Sequence, residues 1–257
     1  MDLRDSWERH AADWIRWARE PGHDSYWRFH REQFLELVPP PGRRTLDVGC
    51  GEGRVSRDLR QLGHRVIGVD SSEAMITAAR EADPDGEYLV ADAAALPFPD
   101  RHADLVVAFM SLMDVDDMPR AVRDAGRVLE PGGRLVLAVV HPINSGHELE
   151  REHPEDNLVL VRDYFDRRRY TDVIERGGLR MIFESRHWTF QDYFDALLEA
   201  GLRVDAVREV SDPDHPRWSR YPLFLHIRAV LPLGSDLAPP QSGDDFGTSH
   251  PQSRSGG

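Results

Sequence analysis

The fold of this chain is decided by residues 45–54, Thr45-Leu46-Asp47-Val48-Gly49-Cys50-Gly51-Glu52-Gly53-Arg54. An apolar run meets three glycines at alternate positions, and an amphipathic segment follows over 54–62. This order predicts a strand, a tight turn and a helix, because glycine permits positive φ and the close approach of a ligand. Free N–H groups at the start of that helix attract anions. We therefore expect a small-molecule site at this turn.

Strand and helix patterns alternate along the rest of the chain, and a β-rich insertion over 141–188 interrupts them after the fifth strand. Alternation of this kind predicts a doubly wound, Rossmann-like α/β fold whose parallel sheet is covered by helices on both faces. The predicted strands are 45–48, 65–69, 88–90, 105–109, 134–140, 203–210 and 223–230. The predicted helices between them are 54–62, 72–81, 117–129 and 189–200.

The two ends of the chain differ from this central pattern. Residues 6–38 are helical in character, broken at Pro21-Gly22, and carry Trp7, Trp14 and Trp17 on one helix face. That aromatic stripe either packs on the body of the domain or forms a lid over an organic substrate. Residues 232–257 are rich in Ser, Gly, Pro and Asp, and we expect them to be disordered. We predict one domain over 1–231, with a helical lid at 1–38.

Composition limits the class of protein. The 257 residues are 40% hydrophobic, which suits a single large domain. Neither a run of about 18 apolar residues nor the apolar core of a secretory signal is present, so we expect a soluble, cytoplasmic protein without a membrane partner. The net charge of -13 disfavours a nucleic-acid partner. Cys50 is the single cysteine, which excludes an intramolecular disulfide. The oligomeric state stays open.

The residues at the strand ends narrow the class of ligand that this site can bind. The glycine spacing is not the dinucleotide fingerprint, since Arg54 occupies the required last glycine position, and the Gly-Lys-Ser/Thr ending of a phosphate-binding loop is missing. Asp70 ends the second strand, where a carboxylate accepts the hydroxyls of a ribose, unless Asp70 or Ser71 only caps the next helix. Asp92 ends the third strand and can accept from an exocyclic amine. Phe109-Met110 ends the fourth, where apolar side chains can cover an adenine.

Taken together, these stretches resemble the class I S-adenosylmethionine (SAM) dependent methyltransferases that act on small molecules. The matching segments cover roughly residues 40 to 140. They are Leu46-Asp47-Val48-Gly49-Cys50-Gly51-Glu52-Gly53, Gly68-Val69-Asp70-Ser71-Ser72, Ala91-Asp92-Ala93-Ala94-Ala95-Leu96-Pro97-Phe98 and Arg127-Val128-Leu129-Glu130-Pro131-Gly132-Gly133. The resemblance implies SAM as cofactor, S-adenosylhomocysteine as its product, and a last strand, 223–230, that runs antiparallel to the others.

The resemblance also implies roles for single residues. Asp47 and Gly49 are expected at the methionine end of the cofactor, Asp70 at the ribose, Met75 near the adenine, and Asp92 with Ala93 at the adenine edge. Cys50 stands where the family often has a small residue, and we expect it to pack there rather than act as a nucleophile. The expected cofactor-binding set is Asp47, Gly49, Cys50, Gly51, Asp70, Ser71, Met75, Asp92, Ala93, Phe109 and Met110.

The methyl acceptor is less well defined. An oxygen or carbon acceptor needs a base, and His141, after the fifth strand, is one candidate, unless it only shapes the strand exit. His187 is the other, because related methyltransferases often carry a histidine or arginine just before the corresponding helix; packing is its alternative role. We expect Tyr26, Trp27 and His30 to line the substrate side of the lid.

Charged runs add little to this picture. Asp114-Val115-Asp116-Asp117 precedes a helix, where acids act as caps and dipole partners, so we expect no metal. Arg167-Arg168-Arg169 is either a solvated face or, if it turns inward, a sign of an anionic substrate.

We predict a SAM-dependent methyltransferase that acts on an oxygen, nitrogen or carbon atom of a small organic molecule, in a setting such as secondary metabolism. Oxygen is favoured because two histidines are available as bases. The alternatives are a non-catalytic SAM-binding or regulatory protein, a protein-modifying methyltransferase and a nicotinamide-dependent oxidoreductase, against which the glycine spacing counts.

Overall fold

The computed structural model describes residues 2–146 and 163–233. The helices are α1 (Leu3–Arg19), a π-helical turn (Tyr26–His30), α2 (Arg31–Leu35), α3 (Arg54–Gln61), α4 (Glu73–Ala82), a 3₁₀ turn (Leu112–Asp114), α5 (Met118–Val128), α6 (Pro142–Ser145) and α7 (Phe190–Glu199). The strands are β1 (Thr45–Val48), β2 (Val66–Asp70), β3 (Glu87–Val90), β4 (Ala103–Phe109), β5 (Leu129–Val140), β6 (Arg169–Arg176), β7 (Leu179–Arg186), β8 (Arg203–Val210) and β9 (Phe224–Val230).

Seven strands form one sheet in the order β3-β2-β1-β4-β5-β9-β8. The pairs β1–β2, β1–β4, β2–β3 and β4–β5 are parallel, whereas β9 runs antiparallel to both β5 and β8. The carboxyl ends of the parallel strands therefore meet at one edge, and the chain reverses its winding direction beside β1. The predicted doubly wound sheet with an antiparallel last strand is confirmed.

The sheet is buried on both faces because its central strands alternate with a period of two. In β4, Val106 and Ala108 pack with α5 and α7, while Val107 and Phe109 pack on the opposite face with α3 and the helices before β1. α4 packs beside β2 and β3. Each face thus has its own apolar core, and the strand ends stay accessible only at the rim.

Local capping explains where several helices begin. Asp2 accepts a hydrogen bond from the Asp5 N–H at the start of α1, and Asp117 accepts from Arg120 at the start of α5. Thr189 forms a reciprocal capping box with Asp192 at α7. The capping role predicted for the acids before α5 therefore fits Asp117.

Two predicted elements need correction, and two predicted segments lie outside the described part. β5 begins at Leu129, ahead of the Pro131–Gly133 turn, because Leu129 already pairs with Ala103 before the register shifts. The second half of the predicted N-terminal helical region contains the π-helical turn rather than one regular helix. Residues 147–162 of the predicted β-rich insertion and nearly all of the tail, 234–257, lie outside the described residues.

The described part of the insertion forms α6 and a separate two-stranded hairpin of β6 and β7, in full antiparallel register. We call this pair the hairpin. It packs against α1, with the ring of Phe183 at 5.9 Å from Trp14 and 6.3 Å from Trp17, centroid to centroid. The hairpin and α1 thus form one layer above the rim of the sheet.

Within residues 2–146 and 163–233, no helix combines the length and apolar character needed to cross a lipid bilayer.

Two buried histidines join the N-terminal helices to β9. His30 and His226 are fully buried, with parallel rings and 2.6 Å between their Nε2 atoms. A hydrogen bond between the two rings needs one nitrogen that donates and one that accepts. At most one of the two rings can therefore be protonated. Burial lowers the pKa of His226 to about 3, helped by Arg208, and burial with the neighbouring His226 lowers the pKa of His30 well below its usual value.

We predict that this pair makes the protein sensitive to acid. The unfolded histidines take up protons below about pH 6.5 while the folded rings do not, so stability is full above that pH and is lost as pH falls. The free energy of unfolding should drop by about 1.4 kcal/mol per pH unit for each such histidine. Denaturant unfolding from pH 7 to pH 5 measures this slope.

The variant His226→Gln should show a shallower slope than wild type, whereas the control His10→Gln, on α1 away from the pair, should keep it. Equal slopes in wild type and His226→Gln would contradict the prediction.

Candidate functional site

A cleft of about 1120 Å³ lies at the carboxyl ends of the parallel strands, under α1 and the hairpin. Every residue predicted to bind the cofactor lines this cleft. These residues are Asp47, Gly49, Cys50, Gly51, Asp70, Ser71, Met75, Asp92, Ala93, Phe109 and Met110. Four strands separated along the chain therefore deliver the predicted set to one place.

The turn after β1, which we call the glycine loop (residues 49–53), is shaped by its contact with the end of β4. Gly49 has φ of 72°, and a Cβ there would lie 2.3 Å from the Cβ of Ser111. The Ser111 hydroxyl donates to the Val48 carbonyl at 2.8 Å. Any larger residue at position 49 would push β1 and β4 apart. Met110, next to Ser111, also has positive φ, 53°, a conformation that few non-glycine residues adopt.

Asp47 offers an unused acceptor in the floor of the cleft. Its side chain is almost fully buried, and Oδ2 accepts from the Ser56 hydroxyl at 2.6 Å. Its Oδ1 has no hydrogen-bond partner among the described residues. Burial raises the pKa of Asp47 to about 6, against the effect of Ser56. A buried carboxylate oxygen without a donor is unfavourable, so this position suits a ligand that carries an ammonium group.

Asp70 is held at the end of β2 by backbone donors. Oδ2 accepts from the Gly51 N–H and Oδ1 from the Ser72 N–H, both at 2.9 Å. A carboxylate has about four acceptor positions, so capacity remains for hydroxyl donors. The helix cap is Ser72, whose hydroxyl accepts from the Met75 N–H, rather than Asp70 or Ser71. Burial raises the pKa of Asp70, and its backbone donors oppose this shift.

The neighbouring strand end holds the other predicted acid. Asp92 follows β3, and its Oδ1 accepts from the Ala94 N–H at 2.8 Å. Met75 on α4 is buried against the same part of the cleft. Asp70, Met75 and Asp92 thus line the same cleft and offer it two carboxylates and one apolar side chain, groups that suit a nucleoside.

The structure places both candidate base histidines outside the lining of the cleft. His141 is fully buried, with Nε2 at 3.0 Å from Glu209 and Nδ1 accepting from the Ile143 N–H. The reason lies in strand alternation: Val140 lines the cleft, so the next side chain points away from it. Burial lowers the pKa of His141, and Glu209 only partly offsets this. These contacts at the end of β5 are compatible with the alternative role, in which His141 shapes the strand exit.

His187 is engaged in the same way. Its Nδ1 lies 2.8 Å from the Ser145 hydroxyl and its Nε2 lies 2.8 Å from the Tyr164 carbonyl. The ring therefore ties α6 and residue 164 to the end of β7, and both nitrogens have partners. Burial lowers its pKa. The base role predicted for His141 and His187 thus has no support from their placement.

The three residues predicted to line the substrate side of the lid also lie elsewhere. The helical turn at 26–30 directs Tyr26 and His30 into the core, where the Tyr26 hydroxyl donates to Asp58 at 2.6 Å and His30 meets His226. Trp27 is 49% exposed, and its Nε1 donates to the Ala18 carbonyl. None of the three lines the cleft.

The aromatic wall comes instead from α1 and the hairpin. Trp7, Trp14 and Trp17 line the cleft together with Phe183, and their rings meet edge to face at 5.9 to 6.4 Å. Trp14 also reaches the glycine loop, with Nε1 3.4 Å from the position of a Cβ on Gly51. The stripe seen in the sequence therefore both packs on the domain and covers the cleft.

Several further cleft residues were not predicted. Arg54, at the start of α3, pairs with Asp24 at 2.8 Å and lies 4.9 Å from the ring centroids of Trp14 and Tyr26. Asp114 lines the cleft although its sequence context indicated a cap. Tyr170 and Ser185 reach the cleft from the hairpin. No local signal marks these residues, because their partners are distant in sequence.

The arginine run divides between the two roles that were considered. Arg167 is exposed and pairs with Asp192, while Arg168 and Arg169 line the cleft. Arg169 forms an ion pair with Asp116. In the described ranges, no group of three or more His, Cys, Asp or Glu side chains is arranged to hold a metal ion.

Comparison with known proteins agrees with this geometry. The family model of a methyltransferase domain matches residues 46–137, which span β1 to β5. The demethylmenaquinone methyltransferase of Renibacterium salmoninarum is 37% identical over 98 residues, 38% of this chain and 41% of that protein. The 27-O-demethylrifamycin SV methyltransferase of Amycolatopsis mediterranei is 30% identical over 188 residues, 70% of this chain and 61% of that protein. The chain thus spans less than two thirds of these curated relatives.

Solved structures extend the match. A SAM-dependent methyltransferase from Mesorhizobium loti superposes with a TM-score of 0.62 and 26% identity, over 77% of this chain and 96% of that one. Residues 46–137 thus match a methyltransferase domain, and the fold is that of SAM-dependent methyltransferases. The residues present fit the cofactor of this family: the unpaired Oδ1 of Asp47 suits its ammonium group, and the region between Asp70 and Asp92 suits its adenosine.

We predict that Asp70→Asn weakens binding of S-adenosylhomocysteine by roughly 10- to 100-fold, because hydrogen bonds to a charged acceptor contribute about 1.5 to 3 kcal/mol. Isothermal titration calorimetry measures this change. The same substitution at Asp100, which is 74% exposed and paired with Arg127 outside the cleft, serves as the control and should leave affinity unchanged.

Because Asp70 also holds the Gly51 N–H, thermal unfolding of the ligand-free variant must accompany the titration. A folded Asp70→Asn protein with wild-type affinity would remove Asp70 from the cofactor site.

Proposed function

We propose that the protein transfers the methyl group of SAM to a small organic molecule. The observation that carries this proposal is the shared cleft: the residues that fit the cofactor and a wall of four aromatic rings border the same cavity. Methyl transfer is a direct displacement, for which holding the acceptor in line is a large part of catalysis. A cavity with one polar and one aromatic side is suited to hold both reactants.

The covering layer supports a small acceptor. α1 and the hairpin meet over the cleft through Trp14 and Phe183, and His23 Nε2 lies 2.7 Å from the carbonyl of Arg176 at the end of β6. Arg176 in turn donates to the His23 carbonyl at 2.6 Å. A folded protein surface would have to displace these contacts, whereas a small molecule can fit beneath them.

The curated relatives point the same way. By their names, the relatives from Renibacterium and Amycolatopsis act on demethylmenaquinone and on 27-O-demethylrifamycin SV, both small organic molecules. These names support an organic acceptor, and the aromatic wall favours one with a flat, apolar part.

Methyl-labelled SAM supplied with a metabolite panel tests the proposal. The panel should pair hydroxyl and amine acceptors of equal shape, such as 1-naphthol with 1-naphthylamine, and should include aliphatic alcohols and a mixture of folded proteins. We expect S-adenosylhomocysteine to accumulate and the label to enter a small aromatic acceptor, detected by mass spectrometry. Asp70→Asn, as a control, should turn over slowly at low SAM concentration.

The other outcomes identify the alternatives. Tight binding of SAM without label in any acceptor would indicate a non-catalytic binding protein. Label confined to the protein mixture would indicate a protein-modifying methyltransferase. Binding of a nicotinamide cofactor in place of SAM would overturn the proposal altogether.

A further inference from the structure

One acid in the cleft lies apart from those that fit the cofactor. Asp114 ends the 3₁₀ turn after β4, between the glycine loop and the hairpin, and its side chain lines the cleft. The buried Ser185 hydroxyl, on β7, donates to Oδ1 of Asp114 at 2.6 Å. Within the described part of the chain, Oδ2 receives no hydrogen bond. Of the two carboxylate oxygens of Asp114, Oδ1 is therefore fixed by a hydrogen bond, and Oδ2 is available to a ligand in the cleft.

Three other acids that line the cleft are paired with arginines. Asp24 pairs with Arg54, Asp116 with Arg169, and Asp212 with Arg28. Each of these three carboxylates therefore has an arginine as its ionic partner. Asp114 has no such cationic partner among the described residues.

The surroundings of Asp114 favour uptake of a proton. Burial raises the pKa of its carboxyl well above the usual range, the charge of Asp70 adds to this, and the hydrogen bond from Ser185 opposes it. The facing groups are Tyr170, next to Ser185 on the hairpin, and Tyr193 on α7, whose pKa values are themselves raised by burial. A carboxylate with a raised pKa is a stronger base than an exposed one.

We propose that Asp114 is the general base of this enzyme, accepting the proton of a hydroxyl group on the methyl acceptor, while Ser185 positions its carboxylate. This proposal rests on the proposed function. It assigns to Asp114 the role that the sequence suggested for His141 and His187, both of which lie outside the cleft lining.

A bond forms between the acceptor oxygen and the methyl carbon, and the carbon–sulfur bond breaks with its electron pair kept by sulfur. The proton of the hydroxyl passes to Oδ2 of Asp114, which later releases it to water. An uncharged amine attacks with its lone pair before any proton leaves, so a base at this position is of most use to an oxygen acceptor.

The charge of the cofactor gives a readout that does not depend on turnover. SAM carries a sulfonium cation and S-adenosylhomocysteine does not. A cation in the same cleft favours the ionised form of Asp114, so its proton should leave when SAM binds. The sulfonium also acts on Asp47 and Asp70, so a variant that lacks the Asp114 carboxyl is needed to isolate the contribution of Asp114.

Calorimetric titration in buffers of different ionisation enthalpy measures the protons released on binding. Near neutral pH, wild type should release more protons with SAM than with S-adenosylhomocysteine, and Asp114→Asn should lose that difference. The control Asp100→Asn, on an exposed loop, should keep it. An equal difference in wild type and Asp114→Asn would overturn the assignment even if no acceptor has been found.

Turnover provides the second readout, with 1-naphthol or the hydroxyl compound that the panel identifies. Asp114→Asn should lower kcat by about 100-fold or more and leave SAM affinity within a few-fold. For the amine of equal shape, 1-naphthylamine, the same substitution should lower kcat much less. An active wild type with an equally active, folded Asp114→Asn would refute the base role while leaving the methyltransferase function intact.

Ser185 keeps the proposal testable if Asp114→Asn does not fold. Removing its hydrogen bond should raise the pKa of Asp114, so Ser185→Ala should shift the rising limb of the kcat–pH profile to higher pH, and Ser185→Thr should restore it. An unchanged profile in Ser185→Ala would contradict the positioning role, since a merely structural serine would alter stability and not the pH dependence.

Discussion

The contact between Gly49 and Ser111 sets the geometry on which the site depends. It brings the ends of β1 and β4 so close that no side chain fits at position 49. From that point the glycine loop turns toward α3, and the chain after β4 turns outward to Asp114. The glycine loop, whose residues fit the cofactor, and the turn that carries Asp114 therefore both start from this one tightly packed contact.

The cleft concentrates buried negative charge. Burial raises the pKa values of Asp47, Asp70 and Asp114, and their charges oppose one another. Such an arrangement destabilises an empty site and favours a ligand with positive charge, because the ligand relieves both desolvation and repulsion. Ligand binding should then raise the stability of the fold by mass action. The acidic cleft and the cationic cofactor are complementary in this sense.

The sequence predicted the sheet and the cofactor side because those signals are local. Each strand end carries its own mark, a glycine after β1 and an acid after β2 and β3, and parallel topology brings the marks together. His141 was misplaced because one step of strand alternation turns it away while Val140 faces the cleft. The aromatic stripe of Trp7, Trp14 and Trp17 is visible in the sequence. Whether these rings pack on the domain or cover the cleft depends on their contact with Phe183, more than 160 positions later in the chain.

Asp116 connects α1 to the hairpin above the cleft. One carboxylate oxygen accepts from the Leu3 N–H at the start of α1, and the other pairs with Arg169 of the hairpin. Both of these partners lie outside residues 46–137, the part that matches the family model. Over evolutionary time, the walls can therefore diverge while the sheet and glycine loop stay constant. Changes in α1 and the hairpin can therefore reshape the outer cleft without altering the sheet.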